Sequence, residues 1–546
     1  MKLKKTILAL VLSLCMVAAC LPVVASAEDA PQGLWTDYAA TAFAGGSGTK
    51  DDPYQIATAA QLALLASDVN SGADGKTHGG EYFILTADID LSGHVWTPLG
   101  YESYSSGGGS AQSFSGYFDG NNKKITGLYV DERVGDKWGK NRNAGLFGCI
   151  AAVGSEPVIQ NLIVDGTVYA GDGDTDSDDY YGAGILVGSI TVLGNDVPYA
   201  VIKNCTVSGT VNSTKNAGGL VGDANYTHFE NCTANVKVEG YSVSGGFVGN
   251  AFESQLTDCT ARGDVSSRGW STGGFAGILF SNTTVEHCAA FGDVEAGDWN
   301  LGGFVGYAEN GVTIKNSIAM GDVTSSVAGW DPKTGGFLGT AWDNTVELEK
   351  CHAAGKVTTV RNGSVGGLIG TDNDSTIRVT GCSFDNQKNA ALSGAGSSAQ
   401  GASYEITDQN TAAVKSSICA DYDGGHDMVD KPGKAPTSTE DGYEAGRECK
   451  RCGYREGFAV IKATGKTDDP ANDPANDPTT DDKHHYNRGG VKGNQTTDTT
   501  AETTKPSIDS AKTADTSSVA LWGAMLVISG AVIGTMTWNR KKAYNR

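Results

Sequence analysis

Gly218-Gly219-Leu220-Val221-Gly222 decides the fold because it keeps returning. It recurs as Gly245-Gly246-Phe247-Val248-Gly249, Gly273-Gly274-Phe275-Ala276-Gly277 and Gly302-Gly303-Phe304-Val305-Gly306. Two more copies are Gly335-Gly336-Phe337-Leu338-Gly339 and Gly366-Gly367-Leu368-Ile369-Gly370. The first glycines lie 27, 28, 29, 33 and 31 residues apart, and looser copies begin at Gly145 and Gly184. A sustained period of this size marks a repeat architecture in which each unit buries its apolar face against its neighbours.

A second block accompanies each copy, as in Asn204-Cys205-Thr206-Val207-Ser208-Gly209-Thr210-Val211. Aligned, the blocks alternate with period two. One column reads Cys205, Cys232, Cys259, Cys288, Ser317, Cys351, and the column that closes the block is valine from Val211 to Val357. The positions between are mostly polar, so each block is a strand with one buried face. A unit near 30 residues is short for a propeller blade and lacks the helix of leucine-rich or ankyrin repeats. It predicts an all-β fold, a right-handed parallel β-helix solenoid with about three short strands per coil. Glycine is expected at corners that need positive φ or close backbone approach.

This accounts for an odd composition. The 546 residues include 75 glycines, roughly twice average usage, but only 13 prolines and no glycine every third residue, which excludes collagen. With 39% apolar and 8% aromatic residues, wholesale disorder is excluded too. The 41 basic and 63 acidic residues give −22, which argues against a nucleic-acid partner.

The ends point outside the cell. Lys2, Lys4 and Lys5 precede the apolar run Ile7 to Leu14, and Ala25-Ser26-Ala27 suits signal cleavage, so 1–27 reads as a signal peptide. Val17-Ala18-Ala19-Cys20 offers a competing lipobox. Val519 to Trp538 can span a bilayer, with Arg540, Lys541 and Lys542 holding its inner end. Segment 463–517, with its tandem Asp-Pro-Ala-Asn, is too polar to fold and reads as a disordered tether ahead of a transmembrane tail, 518–546. Between the ends the expected parts are 28–142 (cap and first coils), 143–392 (repeats), 393–414 (connector) and 415–462 (a small Cys/His module).

Several residue sets could carry chemistry. Cys205, Cys232, Cys259, Cys288, Cys351 and Cys382 invite disulfides, but stacked coils hold parallel Cβ vectors about 4.8 Å apart, too far for bridging, so a buried thiol column is expected. Beside it Asn161, Asn204, Asn231, Asp258, His287, Asn316 and Lys350 suit left-handed corners and an amide ladder, which His287 interrupts. Outward, Asp264, Asp293 and Asp322 stack between Lys237 and Lys356; such carboxylates repel unless solvated or bridged by a cation, so this is a candidate ligand or calcium face. Asp172, Asp174, Asp176 and Asp178 offer oxygen ligands to calcium, without an EF-hand register. Cys419, His426, Cys449 and Cys452 can hold one tetrahedral zinc, and a Cys449–Cys452 disulfide is the rival reading.

The repeats resemble the GLUG motif of bacterial surface proteins: a GGLVG-like strand, an Asn-Cys pair, then a Gly-x-Val strand. The resemblance covers about residues 44–392, including Gly46-Ser47-Gly48-Thr49-Lys50-Asp51-Asp52-Pro53-Tyr54, a helix-like Ala57 to Val69 and Phe114-Ser115-Gly116-Tyr117-Phe118-Asp119-Gly120-Asn121. The C-terminal tail with Ala511-Lys512-Thr513-Ala514-Asp515 resembles a Gram-positive cell-wall sorting signal, although LPxTG is absent and Ala514 stands where that family has glycine. These resemblances imply an envelope-anchored surface protein, with sortase as a partner of the tail. The expected role is adhesion or display toward glycans, matrix or other cells. The alternative is a carbohydrate-active β-helix enzyme, although no HExxH or G-x-S-x-G motif occurs.

Overall fold

The computed structural model describes residues 33–463 apart from 72–77, 104–109, 133–142, 153–154, 172–181, 193–198, 298, 327–331, 343–344, 361–362, 374–375, 397–403, 412, 415–416, 418–425, 427, 440 and 450–454. They belong to the first of two compact units, Met1–Thr467; the second, Asp468–Arg546, lies outside the described residues.

One coil shows the plan. Thr227–Glu230 turns into Thr233–Gly240, then Val243–Gly245, then Val248–Phe252. Each strand pairs in parallel with its counterpart one repeat later, in Gln255–Thr257, Thr260–Ala261 with Val265–Ser267, Ser271–Gly273, and Ala276–Phe280. The register then holds column by column: Val238 meets Val265, Val294, Val323 and Val357, and Gly245 meets Gly273, Gly302, Gly335 and Gly366. Successive coils thus stack as long parallel sheets, the connectivity of a parallel β-helix. The first of these coils contributes four strand segments and the next, whose second strand is split, five, and all of them fall into three long parallel sheets.

Period-two alternation builds the core. In Thr233–Gly240, Ala234, Val236 and Val238 are fully buried while Asn235 and Lys237 are exposed. Phe247, Phe275, Phe304 and Phe337 stack inside with ring centroids 4.9, 4.7 and 4.7 Å apart and planes within 7°. The glycine ahead of each ring is needed for space rather than for left-handed backbone: a Cβ on Gly274 would run into the Gly303 carbonyl oxygen.

The six column cysteines are buried and form no disulfide. Each thiol donates to a carbonyl two residues back, as Cys232 does to Glu230 at 3.3 Å. Ser317 fits the column because Cys288 N–H donates to its hydroxyl at 3.2 Å, as Cys259 N–H donates to the Cys288 sulfur at 3.4 Å. Burial pushes the Cys205, Cys259 and Cys351 thiols well above their ordinary range.

Left-handed backbone falls instead on the expected corner. Asn161, Asn204, Asn231, Asp258, His287, Asn316 and Lys350 all have φ between 46° and 55°. Asn231 Nδ2 donates to Asn204 Oδ1 (2.9 Å), Asn204 Nδ2 to Asn161 Oδ1 (3.1 Å), and Asn161 Nδ2 to Asp119 Oδ1 (3.1 Å). Beyond Asn231 the corner carries Asp258 and His287 instead: His287 Nε2 lies 3.3 Å from Asn316 Nδ2, and its Nδ1 lies 3.8 Å from Asp258.

At the N-terminal end a helix runs Ala59–Ser71, beginning and ending two residues later than the expected Ala57–Val69. Thr58 Oγ1 accepts from Gln61 N–H, and the Gln61 side chain reaches back to Ala57 N–H, which closes the first turn. Its face of Leu62, Ala63, Leu65, Ala66 and Val69 joins the core. At the other end, Met428–Lys431, Gly446–Cys449 and Arg455–Gly457 form a small antiparallel sheet. Among the described residues no helix is long and apolar enough to cross a membrane; the expected signal peptide, all of the tether after residue 463 and the 519–538 span lie outside them.

Two outcomes check this core. Iodoacetamide should leave the six column cysteines unmodified in the native protein and label them in urea, as read by mass spectrometry. Phe304→Ala should lower unfolding free energy by about 3–5 kcal/mol, whereas Phe304→Leu should cost clearly less, because Leu220 and Leu368 occupy the same column.

Candidate ligand face

The outward aspartates sit where the second ladder breaks. In the coil of Thr233–Gly240 the strand is continuous, but in the next coils it splits around 262–264, 291–293 and 320–322. A split strand leaves backbone N–H groups without ladder acceptors, and each must find another. The carboxylates supply it: Asp293 N–H donates to Asp264 Oδ1 (2.9 Å), Asp322 N–H to Asp293 Oδ1 (2.8 Å), and Lys356 N–H to Asp322 Oδ1 (2.7 Å). The row therefore has an answer to its repulsion besides solvent or a cation: each charge rests on the dipole of the next coil's amide. Lys388 Nζ also lies 3.6 Å from Asp322. Lys237, one coil earlier, pairs with Glu239, whose hydrogen bond raises the ammonium's pKa.

The other expected ligands are only partly placed. Asp172, Asp174, Asp176 and Asp178 lie outside the described residues, as do Cys419 and Cys452. His426 is half-buried, while Cys449 is fully buried in a cluster with Ala289 and Ile318 of the coils, packed by Phe291, Met320 and Met428. Glu448 lies 3.8 Å from Arg262, whose guanidinium sits 4.4 Å from the Phe291 ring centre. The small sheet thus lies against the flank of the coils, using outward apolar residues that period-two reading places in solvent. Among the described residues no group of three or more His, Cys, Asp or Glu side chains is arranged to hold a metal ion.

One feature escaped the sequence reading. Trp270 and Trp299 occupy the corner ahead of the third strand, each three residues before the first glycine of its pair, and are 56% and 42% exposed. Their rings lie 6.1 Å apart, within 19° of parallel. The repeat offset was the available signal. A second aromatic file, Tyr199, Tyr226, Phe252 and Phe280, runs elsewhere on the surface in edge-to-face contacts of 5.9, 5.4 and 5.0 Å, but its rings are half-buried.

No family model matches the chain. It is 32% identical over 171 residues to a "Putative Gly-rich membrane protein" of Evansella cellulosilytica, covering 30% of this chain and 15% of that protein. It is 33% identical over 190 residues to "Halomucin" of Haloquadratum walsbyi, covering 34% of this chain and 2% of that protein. The chain thus spans only a small part of the length of these relatives. A solved structure from Bacteroides ovatus described as a "putative immunoglobulin A1 protease" aligns with 69% of this chain and 90% of its own, at 19% identity and a TM-score of 0.38.

The aspartate row makes a stability prediction. Asp293→Ala should cost about 1 kcal/mol by removing the carboxylate that accepts the Asp322 N–H, and Asp293→Asn, which keeps a side-chain acceptor, should recover most of it in urea unfolding. Equal losses in both variants would show that the carboxylate charge, not the acceptor, matters there.

Proposed function

We propose that this chain is a secreted, envelope-anchored bacterial surface protein whose right-handed β-helix is a non-catalytic rod for adhesion or display. The observation that carries the reading is the column register: once one coil exposes a side chain at a corner, the following coils expose theirs beside it, producing a linear, repeated exterior. Such a surface suits an extended ligand on a glycan, a matrix protein or another cell. Fold alone assigns no chemistry.

The sequence ends complete the reading: cleavage after Ala27, a polar tether over 463–517, and anchoring either by retention of the 519–538 span or, through the degenerate sorting signal, by sortase transfer that removes it. The name of the Evansella relative, a Gly-rich membrane protein, supports an envelope location. Calcium at Asp172–Asp178 or on the Asp264, Asp293 and Asp322 row, and zinc at Cys419, His426, Cys449 and Cys452, remain proposals of the residue types alone.

The test joins location, adhesion and turnover. Protease shaving of intact cells should release the protein from the envelope fraction. The full-length protein should coat beads that then bind cells or immobilised polysaccharide, with no release of reducing sugar or unsaturated product. Steady turnover, lost on substituting one coil face, would replace this reading with the carbohydrate-active enzyme.

A further inference from the structure

Trp270 and Trp299 are among the exposed large apolar side chains of the described residues, which also include Tyr38, Tyr241 and Trp342, and they stack on one another. Burying either would be favourable, since an indole carries one of the largest apolar surfaces of any residue. Instead both project from a corner whose backbone is pinned. The Trp270 carbonyl accepts Asn300 N–H at 3.0 Å, and the Trp299 carbonyl accepts Lys333 N–H at 2.8 Å. Asn300 Nδ2 further bonds the Ser271 hydroxyl at 3.2 Å. The rings project from this frame nearly parallel, with the Lys333 ammonium 5.6 Å from the Trp299 ring centre.

We infer that Trp270 and Trp299 form a stacking site for a neutral polysaccharide, which takes the C–H face of a pyranose ring against an indole. This rests on the proposed surface role and names its ligand. The described sequence neighbours of the pair are polar: Arg268 is exposed, Asn300 is half-buried, and the buried Ser271 has its hydroxyl bonded to Asn300. A pyranose has the same make-up, an apolar face rimmed by hydroxyls that donate and accept. A protein partner needs about 800 Å² on each side, which two indoles do not provide. A polyanionic glycan is opposed by the chain's charge of −22 and by the exposed Asp264 and Asp293 of the same coils.

The experiment is native electrophoresis of the full-length protein through gels containing neutral β-glucan, neutral mannan or heparin. Retardation is expected in at least one neutral gel. The double variant Trp270→Ala/Trp299→Ala should bind that polysaccharide at least about tenfold more weakly, while Trp270→Tyr/Trp299→Tyr retains part of the affinity. Native protection of the column cysteines reports that each variant is folded. Unchanged retardation of the folded Ala variant overturns the assignment to these indoles and leaves a glycan-binding rod standing. Retardation by heparin alone overturns the neutral ligand. Retardation in no gel overturns the inference outright, and the bead assay then decides separately whether the protein still adheres to cells.

Discussion

Everything in this protein depends on one constraint: each coil lies on the next in a fixed parallel register, so a side chain meets its own equivalent at about 4.8 Å above and below. A column of like residues must therefore be compatible with itself. Phenyl rings comply by stacking face to face, as Phe247 to Phe337 do. Asparagine complies because an amide both donates and accepts, so Asn161, Asn204 and Asn231 can extend a file without a foreign partner. Thiol and hydroxyl share that property, which is why Ser317 stands among cysteines.

Carboxylates fail the same test, since an ionised aspartate only accepts. The chain tolerates Asp264, Asp293 and Asp322 in file because the second ladder splits beside them and frees backbone N–H groups in the next coil. Repulsion between neighbours is offset by amide dipoles placed between them. The same split explains the glycine column at Gly263, Gly292 and Gly321: a Cβ there would collide with the backbone of the preceding coil. Glycine abundance and acidic abundance, unrelated as composition, meet at one corner of the coil.

The exterior follows a different logic. Outward columns are free of the self-packing requirement, so they carry what varies: the aspartate row, the tryptophan pair, and the apolar patch of Ala289, Phe291, Ile318 and Met320 that the Met428–Cys449 sheet covers. Repetition converts a single exposed residue into a line. That suits an extended ligand better than a compact one.

Much of the architecture was legible in the chain because its signals are local and repeated. The GG pairs set the period, the Cys-x-Val-x-Gly-x-Val alternation set the buried face, and the Asn column set the left-handed corner. What the sequence alone could not show were events between coils. The acceptor role of Asp293 depends on where a strand splits in the following repeat. The continuity of His287 with Asn316 depends on ring orientation. The burial of Cys449 depends on a sheet more than a hundred residues downstream lying on a flank that alternation marks as solvent-facing. By itself, the sequence determined the repeat, its inner columns and its corners, since each arises within one period. Only the tertiary structure decided which outward residues stay exposed, because exposure is a property of what else comes to rest on the surface.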